Sequence, residues 1–185
     1  MIELEPQSTA LVLIDLQKGV LAMPVAPHSA AEIYTRSMRL AQTFRSAGAP
    51  VVQVRASFAG DFADALHARV DQPTHYASLP PGWDEFPAPL DPSDLVITKR
   101  QWGAFYGTEL DLQLRRRGVR CIVLGGIATN MGVESTARSA AEHGYELVIP
   151  EDLCSSLSAD LHAFSLRHIL PRLARITDSA QITLG

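Results

Sequence analysis

Short apolar runs alternate with segments of helical period along most of this chain of 185 residues. Most of the runs are continuously apolar, as is typical of parallel strands that are covered on both faces. The predicted strands are 10–14, 51–54, 95–98, 121–124, 146–149 and 174–177. Strand and helix in repeated alternation predict right-handed crossovers and an α/β fold, in which a doubly wound, six-stranded parallel sheet is the middle of three α/β/α layers.

The segments between these runs have helical periodicity, and each ends at a residue that stops a helix. Glycine takes the left-handed conformation that ends many helices, and proline cannot continue one. The predicted helices and their stops are 29–47 with Gly48, 108–117 with Gly118, 133–143 with Gly144, and 157–168 with Pro171.

From Ser57 to Ser93 the chain departs from this alternation. Six prolines lie there, together with Trp83 and Phe86, and this much proline excludes a central strand or a long helix. A long irregular excursion in a compact domain is usually a lid, a binding loop or an oligomer contact. No repeat or linker divides the chain, so we expect a single domain over 1–185.

The composition excludes several classes of partner. The chain is 46% hydrophobic and 19% charged, and its net charge of -4 leaves no basic footprint for nucleic acid. No apolar run reaches membrane-spanning length, and the first residues do not read as a secretory signal. Two cysteines do not suggest a disulfide framework. We therefore expect a cytoplasmic protein with a small-molecule partner and no nucleic-acid or membrane partner.

Three features with chemical potential follow predicted strands. Asp15 ends L-V-L-I-D, Lys99 ends L-V-I-T-K, and a glycine-rich turn follows C-I-V-L. In an open α/β sheet, ligands bind beyond the carboxyl ends of the strands. Taken alone, Asp15 is equally explained as a helix cap or structural ion pair, and Lys99 is better explained as a solvated side chain. Their shared edge favours a site.

The glycine-rich turn, 125–137, opens a helix, so its backbone N–H groups converge where an anion can bind. In many α/β enzymes such a turn holds a nucleophile over an oxyanion hole. The position that projects from this turn is Gly132, which has no side chain. Gly132 therefore cannot act as a nucleophile.

Ordered motifs run along nearly the whole chain. They are A-L-V-L-I-D-L-Q (10–17), I-T-K-R-Q-W-G-A-F-Y-G-T-E-L (97–110), G-G-I-A-T-N-M-G-V-E-S-T-A-R (125–138) and P-E-D-L-C-S-S (150–156). In these motifs the chain resembles the isochorismatase-like hydrolases, also called the cysteine hydrolase superfamily. The family fold, a six-stranded parallel sheet between helices, agrees with the strands predicted above.

Most members of this family hydrolyse amides or related C–N bonds with an Asp–Lys–Cys triad. The resemblance implies that Asp15 is the general acid or base, that Lys99 is its electrostatic partner, and that the cysteine position falls on Gly132. It also implies a cis peptide bond between Ile127 and Ala128, which turns backbone N–H groups toward a substrate oxygen. Family members commonly form dimers or tetramers, so we expect a homo-oligomer.

Loss of the thiol removes the covalent intermediate on which amide hydrolysis depends. The isochorismatases of the family also carry glycine at this position; an aspartic acid protonates a vinyl ether, and water adds to the oxocarbenium ion. The chain is therefore predicted to be a hydrolase for a small anionic substrate, acting by Asp-assisted acid/base chemistry without a covalent thioester. The alternative is a catalytically silent ligand-binding or regulatory protein. Burial raises the pKa of Asp15 and a nearby ammonium lowers it, and the sequence leaves that balance open.

The remaining candidates flank these positions. The aromatic rings after Lys99 either line a pocket or pack against the following helix. Gln17 is a candidate hydrogen-bond partner for Asp15 or for substrate. Thr129 and Asn130, at the start of the turn, either cap the helix or contact the ligand. The predicted substrate-binding residues are Gln17, Trp102, Phe105, Tyr106, Ile127, Ala128, Thr129, Asn130 and Met131.

We expect no cofactor and no metal. Nicotinamidases of the family hold zinc with an Asp-x-His pair and another histidine. The excursion contains Asp61, Asp64, His67, Asp71 and His75 without that triplet. A catalytic role for Cys154 is disfavoured because two acidic residues closely precede it, and Cys121 is predicted to be core.

Overall fold

A computed structural model of the protein describes residues 1–73 and 78–185. Its strands are β1 (Ile2–Leu4), β2 (Thr9–Ile14), β3 (Val51–Ala56), β4 (Leu95–Lys99), β5 (Cys121–Ile127), β6 (Glu146–Pro150), β7 (Cys154–Ser155), β8 (Arg175–Thr177) and β9 (Ile182–Leu184). Its α-helices are α1 (Lys18–Leu21), α2 (Ala30–Ser46), α3 (Leu110–Arg116), α4 (Glu134–Glu142) and α5 (Ala159–Phe164).

The main sheet runs in the order β4-β3-β2-β5-β6-β8, and every pair in it is parallel. Each of the predicted strands corresponds to one of these strands. From β2 the chain winds outward to β4, then returns to β5 and winds the other way. The strand order therefore reverses between β2 and β5, which is where a doubly wound sheet binds its ligands.

Both faces of the sheet are covered. Along β2, Val12 and Ile14 belong to one core, and Leu11 and Leu13 belong to the other, since successive side chains of a strand point to opposite faces. Helix α2 packs on the second core, and α3 and α4 pack on the first. These are the three layers that the sequence predicted.

The four predicted helices depart from the sequence predictions mainly at their ends, and the short helix α1 was not predicted. Helix α2 begins with a capping box, in which the Ser29 side chain and Glu32 each bind the other's backbone N–H. The fourth predicted helix is shorter as an α-helix, because a wider turn over Ser165–Ile169 replaces its second half. The parallel pair of β1 with β9, and β7 at the end of β5, were not predicted.

Candidate functional site

Asp15 lies at the reversal point of the sheet, directly after β2. Its backbone N–H donates to the Val54 carbonyl at 2.9 Å, which continues the pairing of β2 with β3. Its φ of 57° is in the left-handed region, which is uncommon for a residue other than glycine. Such a conformation costs free energy and is concentrated at functional sites, so the turn is consistent with a site at Asp15.

The structure brings Asp15 and Lys99 together. The Lys99 ammonium donates to Asp15 Oδ2 at 2.8 Å and to the Trp102 carbonyl at 2.6 Å, and its side chain is 2% exposed. The other oxygen, Asp15 Oδ1, is buried and has no hydrogen-bond partner in the described part of the chain. Burial raises the pKa of Asp15 to about 6, although Lys99 opposes that rise by charge and hydrogen bonding. The balance left open by the sequence thus favours burial.

Gly132 faces this ion pair. A Cβ built on Gly132 comes within 3.3 Å of both Asp15 Oδ2 and Lys99 Nζ, and within 2.9 Å of the Ile14 side chain. A side chain at position 132 therefore enters the space directly beside the carboxylate and the ammonium. Because Gly132 has no side chain, no atom of residue 132 beyond its backbone stands beside the ion pair.

The glycine-rich turn carries the expected cis peptide bond between Ile127 and Ala128. Before that bond, Gly126 has a φ of 130°, and a Cβ there would lie 2.2 Å from the Ile14 carbonyl oxygen. Only glycine allows β5 to pass this close to β2. After that bond, the Ala128 carbonyl accepts from the N–H groups of Met131 and Val133 at 3.1 and 3.2 Å.

Side chains behind the turn hold it in place. The Thr129 hydroxyl and His162 Nδ1 are 2.8 Å apart, and both residues are buried. The Ser156 hydroxyl donates to the Asn130 side-chain oxygen. Thr129 and Asn130 thus meet protein groups, and Met131 packs against the core that contains Ile127 and Ala128. These contacts fix the backbone of the turn next to the ion pair.

A cavity of about 240 Å³ opens onto the ion pair. Its walls combine aromatic and aliphatic side chains with a few polar groups, the usual character of a small-molecule site. The lining residues are Asp15, Ala56, Phe58, Leu66, Ser78, Leu79, Trp83, Lys99, Arg100, Gln101 and Trp102. Larger depressions exist elsewhere on the described surface, but neither Asp15 nor Lys99 lines them.

The predicted pocket aromatics separate in the structure. Trp102 lines the cavity and is 57% exposed. Phe105 is buried in the core, with its ring 5.1 Å from that of His143 and 5.9 Å from that of Tyr145, as the packing alternative describes. The Tyr106 side chain is 86% exposed and is not among the cavity-lining residues. The loop after Lys99 turns its rings in different directions.

Gln17 is fully buried and contacts backbone. Its amide accepts from the Ala56 N–H at 2.8 Å and donates to the carbonyls of Ala56 and Trp83 at 3.0 and 3.3 Å. Through these contacts Gln17, two residues after Asp15, links β2 to the end of β3 and to the proline-rich excursion. Gln17 therefore organises the cavity wall.

Several cavity residues were not singled out by the sequence, above all Trp83, Phe58 and Arg100. Trp83 packs on Gly19, where a Cβ would lie 1.8 Å from the indole ring, and its carbonyl accepts from the Gly19 N–H at 2.9 Å. The signal available in the sequence was an aromatic residue in an excursion typical of binding loops. The described part of that excursion does line the cavity.

Cys154 is buried, and burial raises the pKa of its thiol to about 12. A thiol with that pKa is protonated at neutral pH and is a poor nucleophile. Within 1–73 and 78–185, no group of three His, Cys, Asp or Glu side chains is placed to hold a metal ion. His75, one of the excursion residues considered above, lies outside the described residues.

Comparison with known proteins identifies the family. The Isochorismatase domain matches residues 9–181. The isochorismatase family protein YecD of Escherichia coli O157:H7 is 52% identical over 184 residues, 98% of each chain. The ureidoacrylate amidohydrolase RutB of Acinetobacter baylyi is 29% identical over 96% of this chain and 83% of its own. The structure of an isochorismatase family protein from Burkholderia thailandensis superposes with a TM-score of 0.91 at 45% identity, covering 95% of this chain and 94% of its own.

The chain belongs to the isochorismatase family of hydrolases. Membership of a hydrolase family implies a small-molecule substrate, as the cavity beside Asp15 also indicates. In the described part of the chain, no helix is both long enough and apolar enough to cross a membrane.

Proposed function

We propose that this protein is a hydrolase of the branch in which glycine replaces the cysteine nucleophile, and that it acts without a covalent thioester. The observation that carries the proposal is the position of Gly132. A Cβ at this position would lie 3.3 Å from both Asp15 Oδ2 and Lys99 Nζ, so a side chain there would begin beside the pair that would activate a nucleophile. The acid–base pair is therefore retained beside a position that forms no covalent bond.

Asp15 is the proton donor in this proposal. Lys99 binds Oδ2, so the proton of the neutral acid belongs on Oδ1, which is buried and unpartnered among the described residues. With a pKa raised to about 6, the carboxyl group is protonated in a useful fraction of molecules near neutral pH. An ordinary exposed aspartate with a pKa near 3.9 would be almost fully ionised there.

The reaction that suits these groups is hydrolysis of an enol (vinyl) ether. Asp15 Oδ1–H donates its proton to the terminal carbon of the double bond, and the ether oxygen stabilises the resulting oxocarbenium ion. Water adds to that ion, its proton returns to the Asp15 carboxylate, and the hemiketal breaks into an alcohol and a carbonyl compound, which is pyruvate when isochorismate is the substrate. Lys99 stabilises the carboxylate that forms after proton donation. No step requires a thiol, a metal or a cofactor.

The other residues supply binding and orientation. The Trp102 ring forms a cavity wall, and Gln17 holds the wall in place through backbone contacts. We assign the backbone N–H groups of the turn, from Ala128 to Gly132, to a substrate oxygen, as the resemblance implies. Phe105 and Tyr106 are assigned to packing and to the surface. The single domain, the oligomer and the cytoplasmic location remain predictions.

Turnover of two substrate classes tests the proposal. Isochorismate serves as the enol ether, with pyruvate release as the readout, and a panel of small amides is followed by ammonia release. We expect pyruvate release and no ammonia from the wild-type protein. Ammonia release would overturn the non-covalent assignment. If isochorismate binds and no substrate of either class reacts, the ligand-binding alternative replaces the hydrolase proposal.

A further inference from the structure

The charges around the cavity are balanced only as long as no anion binds. Asp15 is neutralised by Lys99 at 2.8 Å, and Arg100, also a cavity residue, is neutralised by Asp64, whose Oδ2 lies 2.5 Å from Arg100 Nε. Asp84, which follows the cavity residue Trp83 but does not itself line the cavity, accepts from the Ser57 hydroxyl at 2.5 Å. The turn after β5 contributes no charged side chain between positions 128 and 133.

Two cationic groups on the cavity wall have donors that none of the described residues uses. An ammonium has three N–H groups, and the contacts of Lys99 with Asp15 and Trp102 use two of them. A guanidinium has five, and Arg100 uses one on Asp64 and one on the Lys99 carbonyl at 3.4 Å. Lys99 Nζ also faces the space over Gly132, where a Cβ would lie 3.3 Å away. Lys99 and Arg100 line the same cavity as the aromatic wall, so their remaining donors are the groups that a bound carboxylate would contact.

An anion in this space changes the charge balance beside a carboxylate that has little water. Because Asp15 is buried and Lys99 is shared with the incoming anion, two negative groups then compete for one ammonium. A like charge close to a carboxyl group disfavours its ionised form. A proton on Oδ1 restores the original balance, and that atom has no hydrogen-bond partner among the described residues to oppose it.

We propose that binding of a carboxylate in this cavity is coupled to uptake of one proton by Asp15. The inference rests on the proposed function, since it describes how that site becomes loaded with the proton that its reaction consumes. Coupling of this kind is reciprocal: the anion favours the protonated acid, and the protonated acid favours the anion. Substrate binding thus places the catalytic acid in its active form.

Calorimetric titration with benzoate tests the coupling. Binding is measured at pH 7.5 in phosphate and in Tris, whose ionisation enthalpies differ, so that the difference in heat gives the protons taken up per benzoate. We expect between one half and one proton for the wild-type protein and close to none for Asp15→Asn. At pH 5 the uptake falls because Asp15 is already mostly protonated in the free protein. Benzoate affinity at pH 5 should exceed that at pH 8 by about tenfold or more.

Two comparisons make the result specific. Benzyl alcohol, a neutral ligand of similar shape, should bind more weakly than benzoate and without proton uptake. Arg100→Gln should weaken benzoate binding several-fold while leaving the proton uptake of the bound complex unchanged.

Equal uptake in wild type and Asp15→Asn, or benzoate binding without uptake, would overturn the coupling. No benzoate binding at pH 5, or tighter binding of benzyl alcohol, would overturn the carboxylate class. Pyruvate release from isochorismate is scored separately, so either failure is distinguishable from failure of the hydrolase proposal.

Discussion

Replacement of Lys99 by methionine tests how the ion pair controls Asp15. The substitution keeps the length and apolar stem of the side chain and removes the ammonium that donates to Asp15 Oδ2 at 2.8 Å. Because Lys99 lowers the pKa of Asp15 both by charge and by a hydrogen bond, the variant should have a higher Asp15 pKa. Removal of an opposite charge at this range raises a carboxyl pKa by roughly 1–3.

The effect on stability has a definite sign. Asp15 has a higher pKa in the folded protein, about 6, than its ordinary 3.8, so its stabilising contribution is complete below pH 3.8 and is lost as pH rises through 6. A difference of about 2 in pKa corresponds to roughly 3 kcal/mol in the free energy of unfolding over that range. In Lys99→Met the loss continues to higher pH and grows by roughly 1–4 kcal/mol.

Urea unfolding of both proteins at pH 5, 6, 7 and 8 measures this difference. The matched control is Lys18→Met, which removes a lysine that is half exposed and paired with Glu85 at the surface. Its stability curve should run parallel to that of the wild type, since exposed pairs contribute about 0–1 kcal/mol. If the free energies of unfolding of Lys99→Met and wild type differ by the same amount at every pH, the electrostatic coupling argued for Asp15 and Lys99 is refuted.

Three further predictions concern the cavity and the thiols. Gly132→Ala should lower turnover at least tenfold and stability by about 1–3 kcal/mol, because its methyl group would lie 2.9 Å from the Ile14 side chain and 3.3 Å from both members of the ion pair; unchanged kinetics and thermal unfolding would contradict this. Gly19→Ala should displace the indole that packs on it and raise KM for isochorismate, whereas Gly60→Ala, where a methyl group meets nothing within 4 Å, should leave KM unaltered. A thiol reagent at pH 8 should label neither Cys121 nor Cys154 in the native protein and both in urea, since both are buried; rapid native labelling of Cys154 would reopen a catalytic role for it.

The architecture was predictable because it depends on local patterns. Continuous apolar runs marked the strands of the main sheet, and their alternation with helices predicted parallel order and three layers. The same reasoning brought Asp15 and Lys99 to one edge, since parallel strands end together. The paired strands Ile2–Leu4 and Ile182–Leu184 escaped prediction because each is three residues long and finds its partner at the other end of the chain.

The walls of the cavity were much less predictable, because they depend on contacts between distant residues. Trp83 reaches the cavity through a contact with Gly19 and a hydrogen bond from Gln17, 66 residues away. The direction of a ring in a loop also has no periodicity to reveal it, so Trp102 and Phe105 looked alike and face different surroundings. The sequence identified the opposing influences on the pKa of Asp15. Only the fold shows how deeply Asp15 is buried, and that burial makes the rise in pKa the larger effect.

Pyruvate release from isochorismate by Asp15→Asn is the most direct test of the central claim that the Asp15 carboxyl group supplies the proton. Asparagine keeps the size of the side chain but cannot donate a carboxylic proton, and loss of a general acid costs about 10²–10⁴-fold in rate. Asp160→Asn, at an exposed aspartate in the first turn of α5, is the control and should retain wild-type turnover. We predict that Asp15→Asn binds isochorismate and releases pyruvate at least a hundredfold more slowly than wild type. Wild-type turnover by Asp15→Asn would contradict the account.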